Sequence, residues 1–173
     1  YVTAWAALEA GQRLGVPVVG FYHSDLPNLM GDRFGRHVRQ RLIRYVVDLY
    51  QRFDSVLAPC HAMANRLTEW GVPNVRVQSL GVDLEQFHPS RRDPGFRTAM
   101  GIPADKKLLI FVGRFSREKN IDVLLATMRA LGSDYHLLLM GPGMPTQVPS
   151  NVTVVNRCCG SHEVARALAS SDA

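Results

Sequence analysis

Lys107-Leu108-Leu109-Ile110-Phe111-Val112-Gly113-Arg114 is the stretch that decides the fold. Five apolar residues in a row, Leu108 to Val112, end at a glycine and then a cation. A run this short, with no polar residue inside it, has the length of a strand covered on both faces. Arg117 to Leu131 follows with a helical pattern, and Tyr135 to Met140 is a second apolar run of strand length. Strand, helix and strand in so few residues predict a right-handed βαβ unit and a parallel sheet. Beyond it, the sequence predicts a strand at Val152–Val155 and a helix over Ser161–Ala169.

The same alternation runs upstream. The pattern predicts a helix from Thr3 to Leu14 ended by Gly15, a strand over Val16–Tyr22 and one long helix over Arg33–Phe53. It then predicts a strand at Ser55–Ala58, a helix from His61 to Trp70 closed by Gly71, and a strand over Asn74–Leu80. Between the two series lies Gly81 to Pro103, which holds three glycines, three prolines and scattered charges, the chemistry of a connection. The expected organisation is an α/β chain of two incomplete domains with mostly parallel sheets. Residues 1–85 form the first part, 86–105 a linker region and 106–173 the second. Both ends are expected to be cut, since the chain does not begin with Met and stops at Ser171-Asp172-Ala173, where another parallel strand is due.

Composition narrows the class. The 173 residues are 46% hydrophobic and 20% charged, which excludes a disordered chain. No apolar run approaches the roughly 18 residues of a membrane-spanning helix. Three cysteines, two of them adjacent (Cys158 and Cys159), provide no C-x-x-C spacing for structural zinc and fit a reducing compartment. The net charge is +5, and only three of the 20 basic residues are lysine. Phosphate or lipid recognition and GC-rich codon usage both account for that bias.

In open parallel sheets, ligands sit at the carboxyl ends of the strands. Three places qualify. His23-Ser24-Asp25 follows the first strand; three consecutive residues cannot converge as a catalytic triad, so His23 is either a loop residue or a ligand contact. Gly113 and Arg114, with Lys119 near the start of the next helix, could hold an anion against helix N–H groups, with Ser116 as the cap. A solvated cluster of Arg117, Glu118 and Lys119 explains the same residues. Gly141-Pro142-Gly143 follows the next strand and leaves room for a flat ligand, as any tight loop would.

The predicted Arg33–Phe53 helix places Phe34, Val38, Leu42, Tyr45, Leu49 and Phe53 on one side. Arg33, Arg36, Arg41 and Arg44 lie on the other, and the segment from Gly31 to Arg52 carries six arginines and two aspartates. This is either a surface for anionic lipid headgroups or a solvated face of a packed helix. No aromatic platform accompanies the charge, so nucleic acid is not expected as a partner.

An ordered set of motifs spans nearly the whole chain. It comprises Gly81-Val82-Asp83, Phe87-His88-Pro89, Gly101-Ile102-Pro103, Val112-Gly113-Arg114 with Glu118-Lys119-Asn120, Leu139 to Gly143, Glu163-Val164-Ala165 and Ser171-Asp172-Ala173. Together these resemble the retaining nucleotide-sugar glycosyltransferases of two-domain GT-B architecture, and His23 to Pro27 looks like the segment of members acting on lipid or mannoside acceptors. The resemblance implies two Rossmann-like domains facing across a cleft. It implies Arg114 and Lys119 on the donor diphosphate, Gly113 permitting close approach, and His23 reaching the donor sugar as the catalytic residue. Gly141 and Gly143 would be possible nucleotide contacts, with no metal and no cofactor. The implied partners are a nucleotide-sugar donor and a lipid or glycan acceptor. The implied location is cytoplasmic, peripheral to the inner membrane. The acidic E-x7-E motif of such enzymes does not occur after Ser171-Asp172-Ala173 in this sequence, so the isolated chain is expected to be inactive. A sugar-nucleotide epimerase, a phosphorylase of the same plan and a non-catalytic nucleotide-binding module are the alternatives.

Overall fold

The computed structural model describes residues 2–173. The chain forms two compact units, residues 1–81 and 82–173.

In the first unit, α1 (Val2–Leu14) leads to β1 (Val19–Phe21), then α2 (Leu26–Phe34) and α3 (Arg36–Tyr50). β2 (Ser55–Ala58), α4 (His61–Trp70) and β3 (Val75–Val77) complete it. The sheet order is β1-β2-β3, with both pairings parallel. Val46 and Leu49 of α3 and Leu67 of α4 are fully removed from solvent around Val56 and Ala58 of β2. Tyr22, 1% exposed, sets its ring edge-on to Tyr50 and Trp70. Gly20 leaves space for Phe53, since a β-carbon there would lie 3.0 Å from the ring.

The long helix expected over Arg33–Phe53 is instead two. Gly35 has φ 88° and ψ 174°, outside the helical range, and breaks the hydrogen-bond ladder between α2 and α3. The helices then pack closely at Gly31, where a β-carbon would stand 2.8 Å from Cβ of Arg39. The apolar and basic periodicity runs straight through Gly35, which is why the break does not show in it.

The second unit opens with residues 82–106. Within them Pro89–Arg91 forms a 3₁₀ turn and α5 (Phe96–Ala99) a single helical turn. Phe96 is 1% exposed against Ile102, Leu108, Leu138 and Ala167. β4 (Lys107–Val112), α6 (Ile121–Leu131), β5 (Tyr135–Met140), β6 (Val152–Val155) and α7 (Ser161–Ser170) follow, with sheet order β4-β5-β6, all parallel. β5 is buried on both faces. Leu137 and Leu139 pack with Ile121, Leu125 and Met128 of α6, while Leu138 and Met140 meet Phe96 and Ala167. Period-two alternation of side chains explains the two sets. His136, also buried, bonds Thr153 Oγ1 through Nε2 at 2.8 Å, and burial lowers its pKa.

On the free edge of β4, Ala173 accepts from the Ile110 N–H at 2.8 Å and donates its own N–H to the Leu108 carbonyl at 3.3 Å, the geometry of a parallel pairing. The Asp172 carboxylate accepts from the Leu108 N–H at 2.8 Å and from Arg97 at 2.6 Å. The Leu108 N–H first, and then the Arg97 guanidinium, hold its pKa below the ordinary carboxylate value. A depressed folded-state pKa adds stability that is present above the unfolded value, about 3.9, and is lost as pH falls through the folded value. Asp172→Asn is therefore expected to lower the melting temperature at pH 7. The gap to the parent protein should close between about pH 5 and pH 2. A gap of constant size across that range, in thermal melts, would show that the carboxylate charge contributes nothing.

Candidate functional site

The loops at the carboxyl ends of β4, β5 and β6 are tied to one another. Gly113, directly after β4, donates its N–H to the Met140 carbonyl at 2.9 Å, and Phe115 donates to Pro142 at 3.0 Å. Gly141 donates to Val155 at the end of β6 at 3.0 Å. The fit at Gly141 is very close: its φ is +140°, and a β-carbon there would lie 1.9 Å from the Gly113 carbonyl oxygen. Gly143, at φ +81°, lets the same loop turn away. Asn156 clamps this loop from the far side, accepting from the Met144 N–H at 3.1 Å and donating to the Met144 carbonyl at 3.0 Å. The sequence reading missed Asn156, because a lone asparagine after a strand carries no periodic signal.

Arg114 leaves this junction exposed to solvent, with the Glu118 carboxylate 3.6 Å from its Nη2. Residues Arg117–Lys119 form a 3₁₀ turn, Asn120 takes the left-handed conformation (φ 49°, ψ 42°), and α6 begins only at Ile121. The helix thus starts four residues later than expected. Ser116 makes no capping bond, and neither does the Asn120 side chain. The left-handed step at Asn120 turns the chain sharply between the 3₁₀ turn and α6. Lys119 is exposed and forms no ion pair among the described residues. The Glu118 carboxyl is held below its usual pKa by its own backbone N–H first and by the Ser116 hydroxyl next, with Arg114 and Lys119 adding to the effect.

This edge offers an anion a guanidinium, an ammonium and the uncapped amino end of an eleven-residue helix. Five of the residues singled out from sequence, Gly113, Arg114, Lys119, Gly141 and Gly143, thus fall on two connected loops at one end of one sheet. Among the described residues, no group of three or more His, Cys, Asp or Glu side chains could hold a metal ion.

His23 belongs to the first unit, two residues after β1 and at the carboxyl end of its sheet. It is exposed, with its ring stacked on Phe21 at 5.8 Å between centroids. It borders a cavity of about 380 Å³ together with Ser24, Phe21 and residues of α1. Asp25 anchors the loop: its carboxylate pairs with Arg66 of α4 and accepts from Asn28 at 2.6 Å, while Asn28 accepts from Arg39 of α3 at 2.6 Å. That network joins α2, α3 and α4 behind His23. A larger cavity, about 680 Å³, opens beside Lys106, His136 and Asn151 at the amino ends of the second unit's strands. Parallel sheets do not place their reacting groups at that end, so we assign no chemistry to it.

Residues 1–86 match the family model described as Glycosyltransferase Family 4. The chain is 33% identical over 141 residues to a GDP-mannose-dependent alpha-mannosyltransferase of Mycobacterium tuberculosis (strain CDC 1551 / Oshkosh), covering 81% of this chain and 36% of that protein. It is 29% identical over 174 residues to a GDP-mannose-dependent alpha-(1-6)-phosphatidylinositol dimannoside mannosyltransferase of Mycobacterium tuberculosis (strain ATCC 25177 / H37Ra), covering 94% of this chain and 45% of that protein. Among solved structures, Anabaena Alr3699/HepE in complex with UDP and glucose superposes with a TM-score of 0.76 at 17% identity. That superposition covers 98% of this chain and 48% of the Anabaena chain. The chain thus spans between about a third and a half of the length of these relatives.

Proposed function

The chain belongs to the GT-B glycosyltransferases, and from that premise we propose that its full-length protein transfers a sugar from a nucleoside-diphosphate donor to a lipid or glycan acceptor with retention of configuration. In this reading, residues 1–85 belong to the acceptor-side domain, 106–173 begin the donor-binding domain, and 86–105 join them. The 173 residues alone are expected to turn over little or no donor.

The observation that carries the proposal is the junction of Gly113 and Gly141, which leaves two cations and an open helix end at one strand edge. As the glycosidic bond to the donor breaks, negative charge grows on the diphosphate and positive charge on the anomeric carbon. In the proposed roles Arg114 takes the diphosphate oxygens with its forked donors, Lys119 adds a point charge, and Gly113 lets the backbone approach the donor closely. Groups preorganised where charge develops stabilise the transition state more than the ground state. Gly141 and Gly143 would let the nucleotide lie against bare backbone, and His23 would contact the donor sugar. GDP-mannose is the first donor to test, because the mannosyltransferase relatives carry it in their names.

The test is product analysis on the full-length protein, with GDP-mannose and UDP-glucose as donors. Release of nucleoside diphosphate with an α-linked product is the expected result. A β-linked product would sink the retention, and no nucleoside diphosphate release from either donor would sink the transferase reading for both.

A further inference from the structure

We propose that Asn156 is a positioning residue for the donor site: by holding the backbone of Met144, it keeps residues 141–144 in the arrangement that receives the nucleotide. This role rests on the proposed contact of Gly141 and Gly143 with the nucleotide.

Met144 lies where the chain has no regular structure to satisfy its backbone. Gly143 precedes it at φ +81°, and Pro145 follows, which disfavours the helical region for Met144 and has no N–H of its own. Asn156, just past β6, supplies both missing partners. Its Oδ1 accepts from the Met144 N–H at 3.1 Å, and its Nδ2 donates to the Met144 carbonyl at 3.0 Å. The Met144 side chain is 3% exposed and packs in one cluster with Ile121 and Leu125, so the loop after β5 is tied to the first turn of α6. In the same segment Gly141 is fitted against the Gly113 carbonyl, and Pro142 accepts from the Phe115 N–H. Displacing Met144 therefore moves the wall that Gly141 and Gly143 present.

The clamp serves placement more than bulk stability. Asn156 is exposed, so water can enter where its side chain stood and take over the two Met144 groups. What is lost is the preference for one loop arrangement. The net stabilisation of two hydrogen bonds sets that preference, and losing it lowers the fraction of binding-competent molecules about tenfold. A ligand that needs the competent arrangement then binds with an apparent Kd raised by the inverse of that fraction, and at saturation it restores the arrangement. Loss of Asn156 should therefore appear in the KM for the donor and leave the saturated rate nearly intact. Asn151, just before β6, gives a matched comparison. Its amide also makes two backbone bonds, to the Met128 and Gly132 carbonyls at 3.0 and 2.8 Å, but at the amino end of the strand, away from Gly141.

The test compares Asn156→Ala and Asn151→Ala in the full-length protein, by steady-state kinetics with the donor that the parent turns over and by calorimetric binding of GDP and of UDP. Asn156→Ala should raise the donor KM and the nucleoside-diphosphate Kd about tenfold, with kcat and the acceptor KM within about threefold of the parent. Asn151→Ala should lower the melting temperature and leave those constants unchanged. Asn156→Asp keeps the side-chain shape and the acceptor for the Met144 N–H but sets a carboxylate against the Met144 carbonyl. It should raise the same Kd, and it carries the comparison if the alanine variant does not fold. An unchanged Kd in Asn156→Ala, an equal rise in both alanine variants, or a loss confined to kcat would each overturn the role of Asn156. A parent protein that binds neither GDP nor UDP would sink the donor-site assignment and this role together. Normal binding by the parent leaves that assignment standing whatever the Asn156 variants do.

Discussion

Arg114→Ala and Lys119→Ala, each made in the full-length protein, are expected to cut turnover about a hundredfold or more at saturating acceptor. In the proposed roles each removes a preformed positive charge from the strand end where the departing diphosphate would become more negative, and losing one such stabiliser costs on the order of 3 kcal/mol. Arg114→Lys should recover only part of the loss, because an ammonium cannot reproduce the two-pronged guanidinium contact. Arg117→Ala is the control, since it sits in the same 3₁₀ turn and shares the charge cluster without an assigned contact. Transfer rates, with folding checked by thermal melting, decide the matter. Equal losses in all three alanine variants would reduce the effect to general electrostatics. Full activity in Arg114→Ala and Lys119→Ala would move the diphosphate elsewhere.

Gly141→Ala is expected to destabilise the second unit by about 3 kcal/mol or more. A side chain there must adopt φ +140° and places its β-carbon 1.9 Å from the Gly113 carbonyl oxygen. Backbone strain of this kind costs about 1–3 kcal/mol, and overpacking typically costs a similar amount. For a unit of this size, each kcal/mol lowers the melting temperature by roughly 4–8 °C. Gly143→Ala, also at positive φ but with its nearest obstacle, Phe115 Cβ, at 3.4 Å, should lose about 1–2 kcal/mol. Gly160→Ala meets nothing within 4 Å and has φ −70°, so its melt should stay close to that of the parent. A Gly141→Ala melt indistinguishable from that of Gly160→Ala would mean that the β4 and β5 loops do not meet as described. Because that contact positions Gly113 and Arg114, donor turnover should fall along with stability.

The ends of elements show which signals were local. Gly71 closes α4 in the left-handed conformation, where its place after an amphipathic run announces it. Gly35, equally visible as a residue, breaks a helix whose apolar and basic periodicity continues on both sides. There the packing of α2 on α3 at Gly31 outweighs a pattern that favours one rod. Asn120 is a similar case: residues 117–120 have helical composition, yet they form a 3₁₀ turn and a left-handed step before α6.

The connection-like composition of residues 86–105 hides a different feature. Phe96 is a single aromatic among prolines, glycines and charges, and its burial against β4, β5 and α7 depends on partners distant in the chain. Asn156 and Asp25 are of the same kind, polar side chains whose value comes from the Met144 backbone and from Arg66 and Asn28.

By itself the sequence determined the alternation of strands and helices and the parallel pairing. It also placed Gly113, Arg114, Lys119, Gly141 and Gly143 at the carboxyl ends of strands. These follow from side-chain periodicity and from the handedness of βαβ connections, which act over short stretches of chain. Only the tertiary structure decided that Gly141 must be glycine, that the basic segment is a hairpin with Phe34 at its turn, and that Arg36, Arg41 and Arg44 form no ion pair among the described residues. Steric approach and charge pairing depend on which distant residues the fold brings within a few ångströms, and a linear pattern carries no record of those distances.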